Sequence, residues 1–84
     1  MALTRDEVKS RTIKLIHDYV PQLENAQLDD DSVVNKDMGV DSMNFILVIC
    51  KLEGEFNVKI PQEEWDTYRT LGDLIDAVMK YSKD

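Results

Sequence analysis

Apolar residues recur at helical spacing in three stretches of the chain, and this pattern constrains the fold more than any other feature. The clearest stretch is the last, where Leu71, Leu74, Ile75 and Val78 follow one another at i, i+3, i+4 and i+7. That spacing places side chains on one face of an α-helix. No stretch alternates with a period of two for long enough to predict a strand. The sequence therefore predicts an all-α fold.

The first stretch opens at Thr4, a residue type that caps helices, and Glu7 stands where it can reach back to complete a capping box. Pro21 ends this helix because proline cannot continue it. Its predicted apolar stripe consists of Val8, Thr12, Leu15, Ile16 and Tyr19.

Turn-forming residues are dense between Pro21 and Asp41, which predicts a loop of roughly twenty residues. A loop of that length is unusual in a small domain and is commonly functional. Four apolar side chains are expected to pin it to the core, namely Leu28, Val33, Val34 and Met38.

Three helical segments are predicted after the loop. They are a long helix from Ser42 to Glu55 or Phe56, a short helical turn over residues 60–65, and a final helix from the capping-box-like start at Thr70 and Asp73 to about Tyr81. The 84 residues are too few for two independent cores, so we expect a single domain over residues 1–84. The predicted fold is an all-α four-helix bundle with three long helices and one short helix, and a long loop between helices one and two.

The charge pattern narrows the classes of partner. The chain carries 17 acidic and 10 basic residues, and all of its net charge of −7 lies between residues 29 and 66. Nucleic acids and anionic membranes bind clustered Lys and Arg, so both are poor partners for this surface. A basic protein surface is a better candidate.

Membrane insertion, export and metal binding are not expected either. The longest apolar run, residues 45–50, is far shorter than the ~18 residues of a spanning helix, and the N-terminus has no apolar core of a signal peptide. One cysteine can form no internal disulfide and anchors no zinc site. We therefore expect a cytoplasmic, reducing setting. The run Asp29, Asp30 and Asp31 lacks the later ligands of a calcium loop, which favours a solvated acidic loop.

Ser42 is the most informative residue, because it follows a glycine-containing loop and precedes a strongly helical segment. Free backbone N–H groups and the positive end of the helix dipole favour a negatively charged oxygen there. A phosphate esterified to the hydroxyl would therefore lie in a natural anion site. The alternative is that Ser42 is a plain N-cap, the commonest role of serine at this position.

Asp41-Ser42-Met43, with Gly39 two residues before Asp41, closely resembles the Asp-Ser-Leu modification site of acyl carrier proteins. The surroundings agree from about Leu28 to Tyr81, whereas helix one aligns only approximately. The resemblance implies that a phosphopantetheinyl transferase (holo-carrier synthase) moves 4′-phosphopantetheine from coenzyme A onto Ser42. It also implies that Asp41 contacts basic residues of that transferase, and that the protein is a carrier and not an enzyme.

The same resemblance implies a function in fatty-acid, polyketide or related acyl metabolism, with acyl intermediates held as thioesters. The implied partners are acyl-activating or acyltransferase enzymes and ketosynthase-type enzymes, which a monomeric carrier visits in turn. Three alternatives stay open: a carrier of amino acids or peptides, an unmodified helical binding module, and an enzyme built on Cys50 and His17. Acyl length, pathway and cognate enzymes do not follow from the sequence.

Helix two has two apolar faces at about 100° per residue. The inward face matches the family's core and consists of Phe45, Val48, Ile49, Leu52 and Phe56. The outward face matches the family's partner-docking side and consists of Met43, Ile46, Leu47 and Cys50, with Glu53 alone on the flank as a further docking candidate. Leu47 stands where relatives often have Glu. Because the inward residues already fill the core side, we expect the outward face to form a partly exposed apolar patch beside Ser42. The alternative is that an altered helix tilt or the loop before Ser42 covers this patch. Trp65 and Tyr68 lie in the element that borders the acyl cleft in carriers and are the candidate cleft residues.

Overall fold

The computed structural model describes residues 3–82 and contains three α-helices. α1 spans Arg5–Tyr19, α2 spans Ser42–Phe56 and α3 spans Leu71–Tyr81. A short 3₁₀ helix, Gln62–Thr67, lies between α2 and α3. The predicted all-α bundle with three long helices and one short helix is therefore confirmed.

α1 begins as the sequence predicts, with the Thr4 hydroxyl accepting a hydrogen bond from the Glu7 backbone N–H at 3.1 Å. The predicted return bond from the Glu7 carboxylate is wrong, because that carboxylate lies 3.8 Å from Arg11 instead. Of the predicted stripe, Val8, Thr12 and Ile16 are fully buried, while Leu15 and Tyr19 are half-buried. The buried Thr12 hydroxyl donates to the Val8 carbonyl at 2.7 Å, which removes the cost of burying it.

α3 has the strongest local start signal in the chain. The Thr70 side chain accepts from the Asp73 backbone N–H, and the Asp73 carboxylate accepts from the Thr70 backbone N–H, which completes the predicted capping box. The predicted apolar stripe from Leu71 to Val78 is buried. The short helix begins two residues later than predicted because Pro61 precedes it as its N-cap residue.

The long loop is less irregular than predicted. It contains two 3₁₀ turns, Pro21–Leu23 and Lys36–Met38. Val34 is buried as expected, and Leu28 and Val33 are half-buried. The prediction for Met38 is wrong, because 53% of the residue is exposed. Its turn points it outward, and the buried apolar residues of the loop on either side of it are Val34 and Val40.

One core joins all of the elements. α1 packs against both α2 and α3, and α2 also contacts α3. Within residues 3–82, none of the helices combines the length and the apolar character needed to cross a membrane. The largest fully buried side chains include Ile16 of α1, Ile49 and Leu52 of α2, and Leu71, Leu74 and Ile75 of α3.

Candidate functional site

Ser42 is the first residue of α2, and its side chain is exposed. The chain turns into the helix through Gly39, which has a φ of +80° that glycine adopts without strain. Asp41, not Ser42, is the N-cap: Asp41 Oδ1 accepts from the Met43 backbone N–H at 2.7 Å. Interpreting Ser42 as the N-cap is therefore wrong. Among the described residues no hydrogen bond engages the Ser42 hydroxyl.

Asn35 fixes the loop that leads to Ser42, and sequence reasoning missed it. Its side chain is buried, and Nδ2 donates to the Tyr68 carbonyl at 3.3 Å while Oδ1 accepts from the Asp37 N–H at 3.0 Å. Its own carbonyl accepts from Met38 at 3.0 Å. The loop before Ser42 is therefore tied to the segment before α3. The signal was an asparagine in a turn-rich stretch, but nothing local shows that it is buried.

A cavity of about 490 Å³ opens beside Ser42. Phe45 and Ile46 of α2 form one side of it, and Trp65 and Tyr68 form another. The Trp65 indole Nε1–H donates to the Ile60 carbonyl at 3.0 Å, which holds the ring in place. The structure thus brings both candidate cleft residues to the same cavity as Ser42. Phe45, assigned by sequence to the inward core face, is only half-buried because it lines this cavity.

The outward face of α2 is exposed, as predicted. The exposed fractions are 78% for Met43, 46% for Ile46 and 37% for Leu47, and Cys50 is also exposed. Glu53, the acid on the edge of this face, is half-buried, and its Oε2 accepts from the Ile60 backbone N–H at 2.8 Å. Four apolar or sulfur-bearing side chains therefore form an open patch next to Ser42. We call Met43, Ile46, Leu47 and Cys50 the outer patch.

The acidic middle of the chain is partly neutralised by the two ends. Asp30 pairs with Arg5 at 3.0 Å and with Lys9 at 2.9 Å, while Asp29 and Asp31 are exposed, as expected for a solvated acidic loop. The hydrogen bonds from Lys9 and Arg5 hold the pKa of Asp30 below its ordinary value. Two further ion pairs join the ends of the chain to its acidic middle, from Arg69 to Asp37 at 3.2 Å and from Arg11 to Glu55 at 3.3 Å.

His17 lies on α1 and Cys50 on α2, and neither lines the cavity beside Ser42. The half-buried His17 donates from Nε2 to the Ala26 carbonyl at 2.8 Å, so its ring anchors the loop after α1. Over the described residues, no group of three or more His, Cys, Asp or Glu side chains is arranged to hold a metal ion.

Comparison with known proteins decides the family. The family model described as a phosphopantetheine attachment site matches residues 15–78, which include Ser42 and both candidate cleft residues. The chain belongs to the acyl carrier protein family. The prosthetic group of this family's domain is 4′-phosphopantetheine, and its members are carriers that serve enzymes of acyl metabolism.

Relatives and solved structures agree with this assignment. The acyl carrier protein of Porphyromonas gingivalis is 30% identical over 77 residues, which cover 92% of this chain and 97% of that protein. The mitochondrial acyl carrier protein of Saccharomyces cerevisiae is 30% identical over 79 residues, and this chain spans 63% of its length. The crystal structure of the acyl carrier protein from Thermotoga maritima has a TM-score of 0.73 at 25% identity and covers 92% of this chain and 88% of its own.

Proposed function

We propose that Ser42 carries 4′-phosphopantetheine, and that this chain carries acyl groups as thioesters in fatty-acid, polyketide or related acyl metabolism. One observation carries the proposal: an exposed serine hydroxyl with no internal partner stands at the start of α2, inside the matched family region. The structure of the site fits the group. The side chain faces solvent, so a long arm can leave the surface there without displacing any packed residue.

The start of α2 also fits the phosphate of the arm. Backbone N–H groups at a helix N-terminus and the positive end of its dipole favour an anion. In the transfer, the Ser42 oxygen bonds to the pantetheine-bearing phosphorus of coenzyme A. The pyrophosphate P–O bond breaks, adenosine 3′,5′-bisphosphate leaves, and the Ser42 proton passes to a base of the transferase. Once attached, the arm supplies a terminal thiol that forms thioesters.

The cavity beside Ser42 supports a second part of the proposal. Its lining combines the apolar side chains Phe45 and Ile46 with the rings of Trp65 and Tyr68. Asn35, Lys36, Gln62 and Asp66 add polar groups to this lining. Small-molecule sites typically combine apolar and aromatic side chains with polar groups. We assign this cavity to the acyl chain, which is shielded from water when it lies between α2 and the short helix.

The outer patch supports a docking role. Monomers seldom expose contiguous apolar surface without use, and this patch begins one residue after Ser42. We propose that the transferase, acyl-activating or acyltransferase enzymes and ketosynthase-type enzymes contact it by apolar packing. Glu53 contributes less than the sequence suggests because its carboxylate is held by Ile60.

Charge steers these encounters. Asp41 stays exposed beside Ser42 and takes part in none of the ion pairs found among the described residues. We propose that Asp41 meets basic residues of the transferase. We also propose that the carrier is monomeric and works in a reducing compartment such as the cytoplasm, where the thiol groups of the carrier stay reduced.

Mass spectrometry tests the proposed function. The purified chain is incubated with coenzyme A and a phosphopantetheinyl transferase, and the intact mass is compared before and after. We expect one added phosphopantetheine, localised by peptide mapping to the peptide that contains Ser42. No added mass would favour an unmodified binding module. If the arm is present, the species bound to it in the native cell distinguishes an acyl carrier from a carrier of amino acids.

A further inference from the structure

Two cavities of similar size share part of their lining. The first, about 490 Å³, adjoins Ser42, and a second of about 470 Å³ is lined by Glu53, Lys59, Ile60 and Pro61. Trp65 and Gln62 line both. Gln62 is exposed, whereas Trp65 is half-buried and packs against the core. The indole ring is therefore the main barrier between the two spaces.

The two cavities follow one another along α2. The first touches the helix at Ser42, Phe45 and Ile46, and the second touches it at Glu53. Seven residues separate Ile46 from Glu53, which corresponds to roughly 10 Å along a helix. An acyl chain that is carried on the arm, enters the first cavity beside Ser42 and runs along α2 would meet Trp65 and reach the second cavity only beyond it.

The barrier is held from two sides. The Trp65 indole N–H is bonded to the Ile60 carbonyl at 3.0 Å, just before the short helix. The next residue back, Glu64, accepts hydrogen bonds from Tyr68 at 3.1 Å and from Tyr81 of α3. The segment that carries Trp65 is thus fastened to the core, and a bound chain meets a fixed ring rather than a mobile one.

We propose that Trp65 sets the upper limit on the length of acyl chain that this carrier takes up. The chemical class is an acyl group whose tail ends in the cavity beside Ser42, and Trp65 is the specificity-determining residue. This inference rests on the proposed function, because it presupposes an acyl chain tethered at Ser42.

Trp65 is the only tryptophan in the sequence, so its fluorescence reports directly on the proposed contact. The protein is loaded by a transferase from acyl-coenzyme A thioesters of increasing chain length, and each loaded form is checked by mass. We expect the emission to shift as the chain lengthens, and to stop changing once the tail reaches the ring. In parallel, protection of the thioester from hydroxylamine should rise with length and level off at the same point.

Two variants make the test decisive. Trp65→Ala removes the barrier, so protection should continue to rise beyond the wild-type limit, by about fourfold in the insertion equilibrium for each further buried methylene. Trp65→Phe keeps a smaller ring, so its limit on acyl length should lie between those of the wild type and Trp65→Ala. This variant preserves a test if Trp65→Ala does not fold. Met79→Ala is the control, because Met79 is an exposed apolar residue on α3 that lines neither cavity.

The outcomes separate the two proposals. A chain that accepts no phosphopantetheine overturns the proposed function and this inference with it. Two results overturn this inference alone. One is an acyl-loaded protein whose Trp65 emission does not change with acyl length, and the other is a folded Trp65 variant that keeps the wild-type limit on acyl length.

Discussion

Tyr81, the last residue of α3, donates a hydrogen bond from its hydroxyl to Glu64 Oε2 in the short helix. The other oxygen of the same carboxylate accepts from the Tyr68 hydroxyl at 3.1 Å. The bond from Tyr81, followed by that from Tyr68, holds the pKa of Glu64 below its ordinary value despite some desolvation. The end of the last helix thereby fixes the segment that forms one wall of the cavity beside Ser42.

Removing the Tyr81 hydroxyl should loosen that wall. Tyr81→Phe is expected to lower the free energy of unfolding at neutral pH, because Glu64 loses one of its two donors. A lowered folded pKa stabilises the fold above the ordinary carboxyl pKa, and this contribution is lost as the pH falls through the lowered value. The deficit of the variant should therefore shrink in acid. Urea unfolding at pH 7 and at acid pH measures it.

Tyr19→Phe is the matched control, because the Tyr19 ring lies 5.3 Å from the Lys51 ammonium and its hydroxyl makes no hydrogen bond within residues 3–82. Equal stability of Tyr81→Phe and wild type at neutral pH would show that the hydrogen bond from Tyr81 to Glu64 contributes nothing to the free energy of unfolding.

Two helical glycines should respond to alanine in opposite directions. A Cβ on Gly72 would lie 2.9 Å from the Asp30 carbonyl oxygen, which also accepts the Gly72 N–H at 2.9 Å. Gly72→Ala should therefore cost about 1–3 kcal/mol through overpacking. Gly54 has nothing within 4 Å of an added Cβ, so Gly54→Ala should stabilise α2 by about 0.5–1 kcal/mol. Thermal or urea unfolding checks both, and a stabilising Gly72→Ala would mean that the Asp30 backbone moves aside at little cost.

Asp41 should have separable structural and recognition roles. Asp41→Ala removes the N-cap of α2 and should cost about 0.5–2 kcal/mol. Asp41→Asn keeps an equivalent cap without the charge, so stability should hold while the transferase modifies Ser42 more slowly. The rate difference between Asn and wild type should narrow at high salt, where exposed charges are screened. Equal modification rates at low salt would remove Asp41 from transferase recognition.

A matched pair of substitutions that each introduce a negative charge tests the outer patch. Leu47 and Met79 are each 37% exposed, on α2 and α3 respectively. Exposed substitutions usually change stability little, so both Leu47→Glu and Met79→Glu should fold. Only Leu47→Glu should lower kcat/KM with the cognate partner enzyme, by about tenfold or ~1.4 kcal/mol. Similar rates for the two variants would show that docking does not use the outer patch.

Sequence patterns predicted the parts of this fold that depend on neighbours along the chain. The boundaries of α3 follow from Thr70, Asp73 and the apolar stripe, all within one helix. The position of Ser42 follows from a local motif. The alternative that Ser42 is the N-cap is wrong by one residue. Asp and Ser are nearly equal N-caps, and only the backbone angles of Asp41 show which residue lies outside the helix.

The contacts that could not be predicted join residues far apart in sequence. Asn35 is buried because its amide reaches the Tyr68 carbonyl, 33 residues away. Asp30 is paired because it lies beside Arg5 and Lys9 of α1. Met38 looks like a core residue by composition, yet it lies in an exposed 3₁₀ turn, and Val34 and Val40 on either side of the turn are buried instead. Periodicity carries no information about such pairings.

The most direct test of the account is the mass of Ser42→Ala after incubation with coenzyme A and a transferase. Because Asp41 provides the cap, the variant should fold with little loss of stability. Ser10→Ala, at an exposed serine of α1, is the control. We expect wild type and Ser10→Ala to gain one phosphopantetheine each and Ser42→Ala to gain none. A Ser42→Ala chain that still gains phosphopantetheine would contradict the assignment of Ser42 as the attachment site.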